Sequence, residues 1–195
     1  MIYFSSDQHF NHLGLATEGI TGKGMGRGFP TLDEHNETLL DAINSRVHST
    51  DILYLLGDFA WTKPSKFRMQ IRCKHIRFIF GNHDKRMESL NAFGECKDLI
   101  CTKFSNGENV ILSHYPQMYW TKSHYNAYHL YGHMHRQRED YLDNLLPDRR
   151  SMDVGVDNAK YLLGHWGPFS EDEILAHLSH RAGHDPLSYY RKNDV

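Results

Sequence analysis

The chain has 195 residues, a net charge of −2, 39% hydrophobic and 24% charged residues. That is enough chain for one globular unit with a real core, and the near-neutral balance gives no global electrostatic case for binding nucleic acid. Histidine is the outlier: its 15 copies outnumber the 10 phenylalanines, an excess that points to metal or proton chemistry.

In chain order, Ile2-Tyr3-Phe4-Ser5-Ser6-Asp7-Gln8-His9 opens as a buried strand ending on Asp7 and His9, which lie two apart and so share a face. Asp7 interrupts the apolar run too soon for a secretory leader, so none is expected, and no later stretch has the length of a membrane span. Residues 12–30, with Gly14, Gly19, Gly22, Gly24, Gly26 and Gly28, read as a long loop. Thr31 as cap with Glu34 three residues on announces a helix over 33–48, where Leu39, Leu40, Ile43 and Val47 keep helical spacing. A second strand, Asp51-Ile52-Leu53-Tyr54-Leu55-Leu56-Gly57-Asp58, ends on Asp58. Pro64 opens a helix running to about residue 72. A third strand, Ile76-Arg77-Phe78-Ile79-Phe80, runs into Gly81-Asn82-His83-Asp84, and 85–93 reads as a short helix. Segments 98–104 and 108–113 flank Asn106-Gly107, a two-residue hairpin turn, and the second leads to His114. A strand from about 128 runs into Gly132-His133-Met134-His135, and residues 151–157 read as a further strand. Ser170 with Glu173 makes a capping box that opens a helix to about 180. The expected organisation is one domain over 1–182 and a polar tail over 183–195. Cys73, Cys96 and Cys101 form no CxxC pair; an odd count without metal spacing fits reduced thiols in a cytoplasmic compartment.

Five apolar runs therefore end on Asp, Asn or His. Such runs are strands buried on both faces, and in open sheets ligands bind beyond the carboxyl ends of the strands. Asp7, His9, Asp58, Asn82, His114, His133 and His135 describe one site fed by five loops. Two Asp, one Asn and four His exceed the four donors of one tetrahedral ion. They suit two ions sharing a bridge, and Asp58, with two carboxylate oxygens, can be that bridge. Four small or polar residues at 81–84 serve no packing purpose.

The ordered set Asp7-x-His9, Gly57-Asp58, Gly81-Asn82-His83-Asp84, His114, Gly132-His133-x-His135 resembles the calcineurin-like metallophosphoesterases over roughly residues 2–175. Phe10-x-His12, Arg27-Gly28-Phe29, Glu34-x-Asn36, His114-Tyr115-Pro116 with Trp120, and Val154-Gly155-Val156-Asp157 are similar to short bacterial and phage members. The resemblance implies an α/β fold, a four-layer αββα sandwich of mixed sheets. It implies Asp7, His9, Asp58 and His135 on a first metal and Asp58, Asn82, His114 and His133 on a second. His83 would sit beside the substrate as a catalytic residue and Asp84 would orient it. The cofactors implied are two divalent metal ions, manganese foremost, with iron, zinc, cobalt or nickel as alternatives. The activity implied is hydrolysis of a phosphate ester by a metal-bridging hydroxide, as a phosphodiesterase or phosphatase on a phosphorylated small molecule or nucleotide. Asp153 departs from the pattern, because comparable members often carry Asn.

Two residues are expected to touch substrate. Arg27 offers a guanidinium fork that matches phosphate oxygens, against the alternative of a solvated surface arginine. His12 is expected near the metals. Two other functions stand beside the enzyme of small substrates. A nuclease acting on DNA or RNA would use the same two-metal chemistry, and the small size and −2 charge favour small substrates over it. A non-catalytic scaffold on the same fold is disfavoured because every ligand and His83 are present. Monoester or diester preference and oligomeric state stay open.

Overall fold

The computed structural model describes residues 1–17 and 26–183. Gly19, Gly22 and Gly24 of the expected loop, and the expected tail from 184 onward, lie outside the described residues. In chain order the elements are β1 (Ile2–Ser5), α1 (Leu13–Thr17), α2 (Leu32–Arg46), β2 (Ile52–Leu55), α3 (Ser65–Arg68), β3 (His75–Ile79), α4 (Arg86–Phe93), β4 (Cys96–Lys97), β5 (Leu99–Lys103), β6 (Asn109–Ser113), β7 (Tyr128–Tyr131), α5 (Glu139–Leu145), β8 (Ser151–Asp153), α6 (Val156–Leu163), β9 (Phe169–Ser170) and α7 (Glu171–Leu178). One sheet has the order β4-β3-β2-β1-β9, parallel except for β9. The other has the order β5-β6-β7-β8, with β5 antiparallel to β6 and the rest parallel.

Strand residues alternate between faces, and both faces of the first sheet are apolar. Tyr3, Leu53, Leu55, Ile76 and Phe78 pack with Leu39, Leu40 and Ile43 of α2 and Phe67 of α3. Phe4, Tyr54, Leu56 and Ile79 face the other way and pack with Val110, Leu112, Tyr128, Leu130 and Met152 of the second sheet. The outer face of that second sheet carries Ile111, which packs on Trp120, and Tyr131, whose hydroxyl donates to Glu139 of α5. Helices, sheet, sheet and helix are thus the four layers of the expected sandwich of mixed sheets.

Local chemistry sets the helix starts. The Thr31 hydroxyl accepts the Glu34 N–H at 3.1 Å and caps α2. Ser170 and Glu173 complete their reciprocal box at α7. The helix after Pro64 is shorter than expected, ending at Arg68. A short helix, α1, lies inside the expected loop, and α5 has no strong apolar period to announce it. The expected strand over 151–157 stops at Asp153. The Asp153 carboxylate takes the Gly155 N–H at 2.6 Å, and the Val156 N–H reaches back to the Ser6 carbonyl at 3.1 Å. Those two bonds turn the chain into α6, which places Asp157 in a first helical turn. β1, β2, β3, β6 and β7 all finish at one edge of the sandwich, where the five motif loops meet.

Candidate metal centre

Two groups of donor atoms form there. Asp7, His9 and His135 bring ligand atoms within 4.8 Å of one another, and so do Asp58, His114 and His133. Asp58 lies between the groups: its Oδ2 is 3.6 Å from His9 Nε2 and 3.4 Å from His114 Nε2. Asn82 Oδ1 sits 3.0 Å from His114 Nε2 and 2.9 Å from His133 Nδ1. All seven side chains singled out in the sequence therefore converge on one pocket.

The backbone is bent hard to achieve this. Asp7, His9, Asp58, His133 and His135 have φ of 59, 49, 52, 69 and 45°. The left-handed region disfavours side-chain-bearing residues and costs about 1–3 kcal/mol at each, and here it recurs at five of seven candidate ligands. Two glycines permit close packing of the loops. A Cβ on Gly81 would lie 2.1 Å from Asp58 Oδ1, and one on Gly132 would lie 2.0 Å from Ser6 Oγ and 2.4 Å from Asp7 Oδ2. The His133 N–H then donates to Asp7 Oδ2 at 2.9 Å, tying the loop after β7 to the loop after β1.

Hydrogen bonds fix which ring nitrogens face inward. His114 Nδ1 is 2.8 Å from the Leu56 carbonyl, which can only accept, so Nδ1 carries the hydrogen and Nε2 points at Asp58. His135 Nδ1 likewise donates to Asp157 Oδ2 at 2.8 Å. Meanwhile Asp7 Oδ1 and both ring nitrogens of His9 are buried with no hydrogen-bond partner among the described residues. Orphaned buried polar atoms of this kind are costly in a folded protein, and a divalent cation satisfies two of them, Asp7 Oδ1 and the unprotonated nitrogen of the neutral His9 ring. On this test the residues fit a metal pair.

Electrostatics agree. Burial holds the His9 imidazole down to about 2, assisted by the nearby His135 and Arg27, so it is a neutral donor. Burial alone would raise Asp58, but the hydrogen bond and charge of His114, with the His83 N–H, outweigh it and hold the carboxyl down to about 2. Burial would likewise depress His114, yet its bond to Asp58 and the charge of Asp7 raise it to about 9. Asp7 is pushed up by burial, relieved in part by His135 and His114. Two buried carboxylates thus draw positive charge to this point from whatever can supply it.

The flanking residues are placed as follows. The His83 side chain is 44% exposed, with Nε2 3.9 Å from Asp58 Oδ2. Its ring packs 4.4 Å from that of Trp61, which stacks face to face with His12 at 3.9 Å. His12 therefore lies beside the centre, 5.4 Å from the His9 ring. The Asp84 carboxylate accepts the backbone N–H groups of Asp58, Phe59 and Gly81 at 2.8, 3.1 and 2.7 Å. It fixes the two loops, and the His83 ring packs instead against Trp61 and, at 5.6 Å, the His9 ring. Arg27 revises its expectation as a phosphate contact. Its guanidinium, 1% exposed, is committed to Asp157 and to the Asp7 and Gln8 carbonyls, behind the ligands. Asp153 accepts N–H groups from Arg136 and Gly155, one on each oxygen; an Asn could accept only one of them. Asp157 and Trp61 had no role in the sequence reading. Asp157 lay within a quoted motif, but only the turn into α6 reveals its partners.

Residues 31–152 match the calcineurin-like phosphoesterase superfamily domain. The chain is 32% identical over 164 residues to the uncharacterized protein MJ1445 of Methanocaldococcus jannaschii, covering 82% of this chain and 84% of that protein. The crystal structure of the protein of unknown function AQ665 from Aquifex aeolicus shares the fold, with a TM-score of 0.65 at 24% identity, over 91% of this chain and 98% of that one.

Proposed function

We propose that this chain, which belongs to the calcineurin-like phosphoesterase superfamily, hydrolyses phosphate esters of small molecules or nucleotides with His83 as its general acid. The observation that carries the reading is the pair of donor groups joined through Asp58 Oδ2. The first ion would be held by Asp7, His9, Asp58 and His135, the second by Asp58, Asn82, His114 and His133. When bound, two divalent cations would supply Lewis acidity that makes water a nucleophile near neutral pH, and charge that neutralises the phosphate oxygens.

The chain's own residues do the rest. Asp84 holds the loops after β2 and β3 together, so Asp58 and Asn82 keep their spacing. Asp157 orients His135, and the Leu56 carbonyl orients His114, a carboxylate or carbonyl behind each imidazole. His83, half exposed at the edge of the donor set, would hand a proton to the departing alkoxide. Mixed oxygen and imidazole donors suit manganese, iron, zinc, cobalt or nickel, and manganese is the first ion to try. The free thiols of Cys73, Cys96 and Cys101 suit a reducing, cytoplasmic setting. No helix among the described residues is long and apolar enough to cross a membrane.

The test is a metal-by-substrate screen. Metal-stripped protein is reloaded with each ion and assayed on bis(p-nitrophenyl) phosphate, p-nitrophenyl phosphate and 2′,3′-cyclic nucleotides. Hydrolysis that depends on added metal is expected. Protein that takes up two ions per chain yet turns over none of these esters would overturn the reading.

A further inference from the structure

Among the described residues, two cavities are bordered by residues of the loops that carry the donors. The smaller, of about 300 Å³, is bordered by Trp61, Pro64, His83 and Lys85. The larger, of about 470 Å³, lies on the outer face of the second sheet. Tyr131 and Ser151 form its floor, Trp120 and Leu142 its walls. Met134 and Pro116 also line it, and both belong to ligand loops: Met134 sits between His133 and His135, and Pro116 is two residues past His114.

The larger cavity is built for an apolar group. Its volume falls in the usual range for small-molecule sites, roughly 300–1,000 Å³. The polar atoms of its floor are already satisfied by one another. The Tyr131 hydroxyl donates to Glu139, and Arg149 donates to Tyr131 Oη at 2.6 Å, Ser151 Oγ at 3.1 Å and Glu139 at 2.9 Å. The floor therefore asks nothing of a ligand but contact with ring faces. Among the described residues no carboxylate lines the cavity, and its charged members are Arg138 and Arg149, so an anionic ester is not repelled by them.

Resting on the phosphoesterase reading above, we infer that this cavity receives the retained alcohol of a phosphodiester, and that this alcohol is bulky and apolar. The general acid must touch the leaving oxygen, and His83 borders the smaller cavity, so the leaving alcohol lies on that side. The other ester arm does not share the His83 side, and Met134 and Pro116 are the members of the ligand loops that open onto the larger cavity. In the reaction the bond from phosphorus to the leaving oxygen breaks and a bond from the water oxygen to phosphorus forms. His83 gives its proton to the leaving alcohol and regains one from that water. The products are a free alcohol and a monoester that keeps the bulky group. A monoester has a single alcohol, which departs on the His83 side and leaves the larger cavity without a part in recognition.

The experiment compares two diesters with the same leaving group, 1-naphthyl p-nitrophenyl phosphate and methyl p-nitrophenyl phosphate, on the metal-loaded protein. The naphthyl ester is expected to show at least tenfold higher kcat/KM, and Leu142→Trp, which fills the cavity, is expected to reduce that ratio about tenfold. Saturation-transfer NMR on metal-stripped protein gives a readout without turnover: the naphthyl protons of 1-naphthyl methyl phosphate receive magnetisation from wild type and lose it in Leu142→Trp. Circular dichroism checks the fold of the variant, and Leu146→Phe replaces it if it does not fold. Equal kcat/KM for the two esters, or a filled variant that keeps the wild-type ratio and NMR transfer, overturns the inference while leaving the phosphoesterase intact. Failure of both esters with every metal overturns the phosphoesterase reading instead, and the NMR transfer still decides the cavity.

Discussion

Arg27 and Asp157, 130 positions apart, form a two-point ion pair behind the ligands, Nε to Oδ1 at 2.9 Å and Nη2 to Oδ2 at 2.8 Å. The same Oδ2 accepts from His135 Nδ1. Asp157 is thus the hub through which a buried arginine fixes the orientation of a candidate metal ligand. Burial would raise its carboxyl, but the charge and hydrogen bonds of Arg27, with those of His135, hold it well below the usual range.

Asp157→Asn is expected to lower affinity for the first metal by about 10–100-fold, the usual effect of losing a partner behind a ligating histidine. It also leaves the Arg27 charge buried without its counter-ion, a loss on the order of 3 kcal/mol in stability. Calorimetric titration of metal and urea unfolding check the two effects. Equal weakening of both metals would speak against an action through His135.

His83 and Asp84 are neighbours with separable effects. His83→Ala is expected to reduce kcat roughly 10²–10⁴-fold with two metals still bound, measured by turnover beside metal analysis. Loss of metal would move His83 to the ligands. Asp84→Ala instead orphans three backbone N–H groups, so it is expected to destabilise the fold by about 2–4 kcal/mol and to weaken metal binding together with activity.

Gly132→Ala pushes a methyl into Ser6 Oγ and Asp7 Oδ2, and Gly81→Ala pushes one into Asp58 Oδ1. In each case a carboxylate oxygen of a candidate ligand, Asp7 or Asp58, stands in the methyl's way. Each variant is expected to lose metal binding, with a stability cost of about 1–3 kcal/mol from overpacking. Calorimetric metal affinity and the urea midpoint check this; wild-type affinity in either would mean the loops are less tightly coupled than their contacts indicate.

His129 gives a pH signature away from the metal centre. Its Nε2 accepts the Gln117 N–H at 3.1 Å and its Nδ1 faces the Ile111 carbonyl at 3.0 Å, so the ring is neutral with the hydrogen on Nδ1. Burial holds it down to about 4 from 6.5. Between those values the unfolded chain binds the proton and the folded chain does not, so stability falls as pH falls through this window. The slope attributable to it approaches 1.4 kcal/mol per pH unit at most, a value on the order of one proton. Urea unfolding from pH 7.5 to 4.5 is expected to show a steeper acid loss for wild type than for His129→Gln. Parallel curves would exclude the assignment.

Much of this was legible in the chain itself. Short apolar runs ending on Asp, Asn and His identify strands and their carboxyl ends, because strand burial and ligand chemistry are both written in residue type at fixed spacing. Thr31 with Glu34 and Ser170 with Glu173 mark helix starts for the same local reason. The expected strand over 151–157 failed because its turn depends, besides the local Asp153–Gly155 bond, on Ser6, some 150 positions earlier, accepting the Val156 N–H. Sequence spacing holds no record of such a bond.

The sequence alone therefore determined which side chains gather at the candidate metal centre, since the donors are chemically distinctive and each closes a strand. Only the tertiary structure decided what stands behind and beside them: Arg27 turned inward to Asp157, Trp61 against His83, and a cavity floored by Tyr131 and Ser151. Those arrangements arise from packing between residues distant in the chain, where burial and a shared partner, not residue type, set the role.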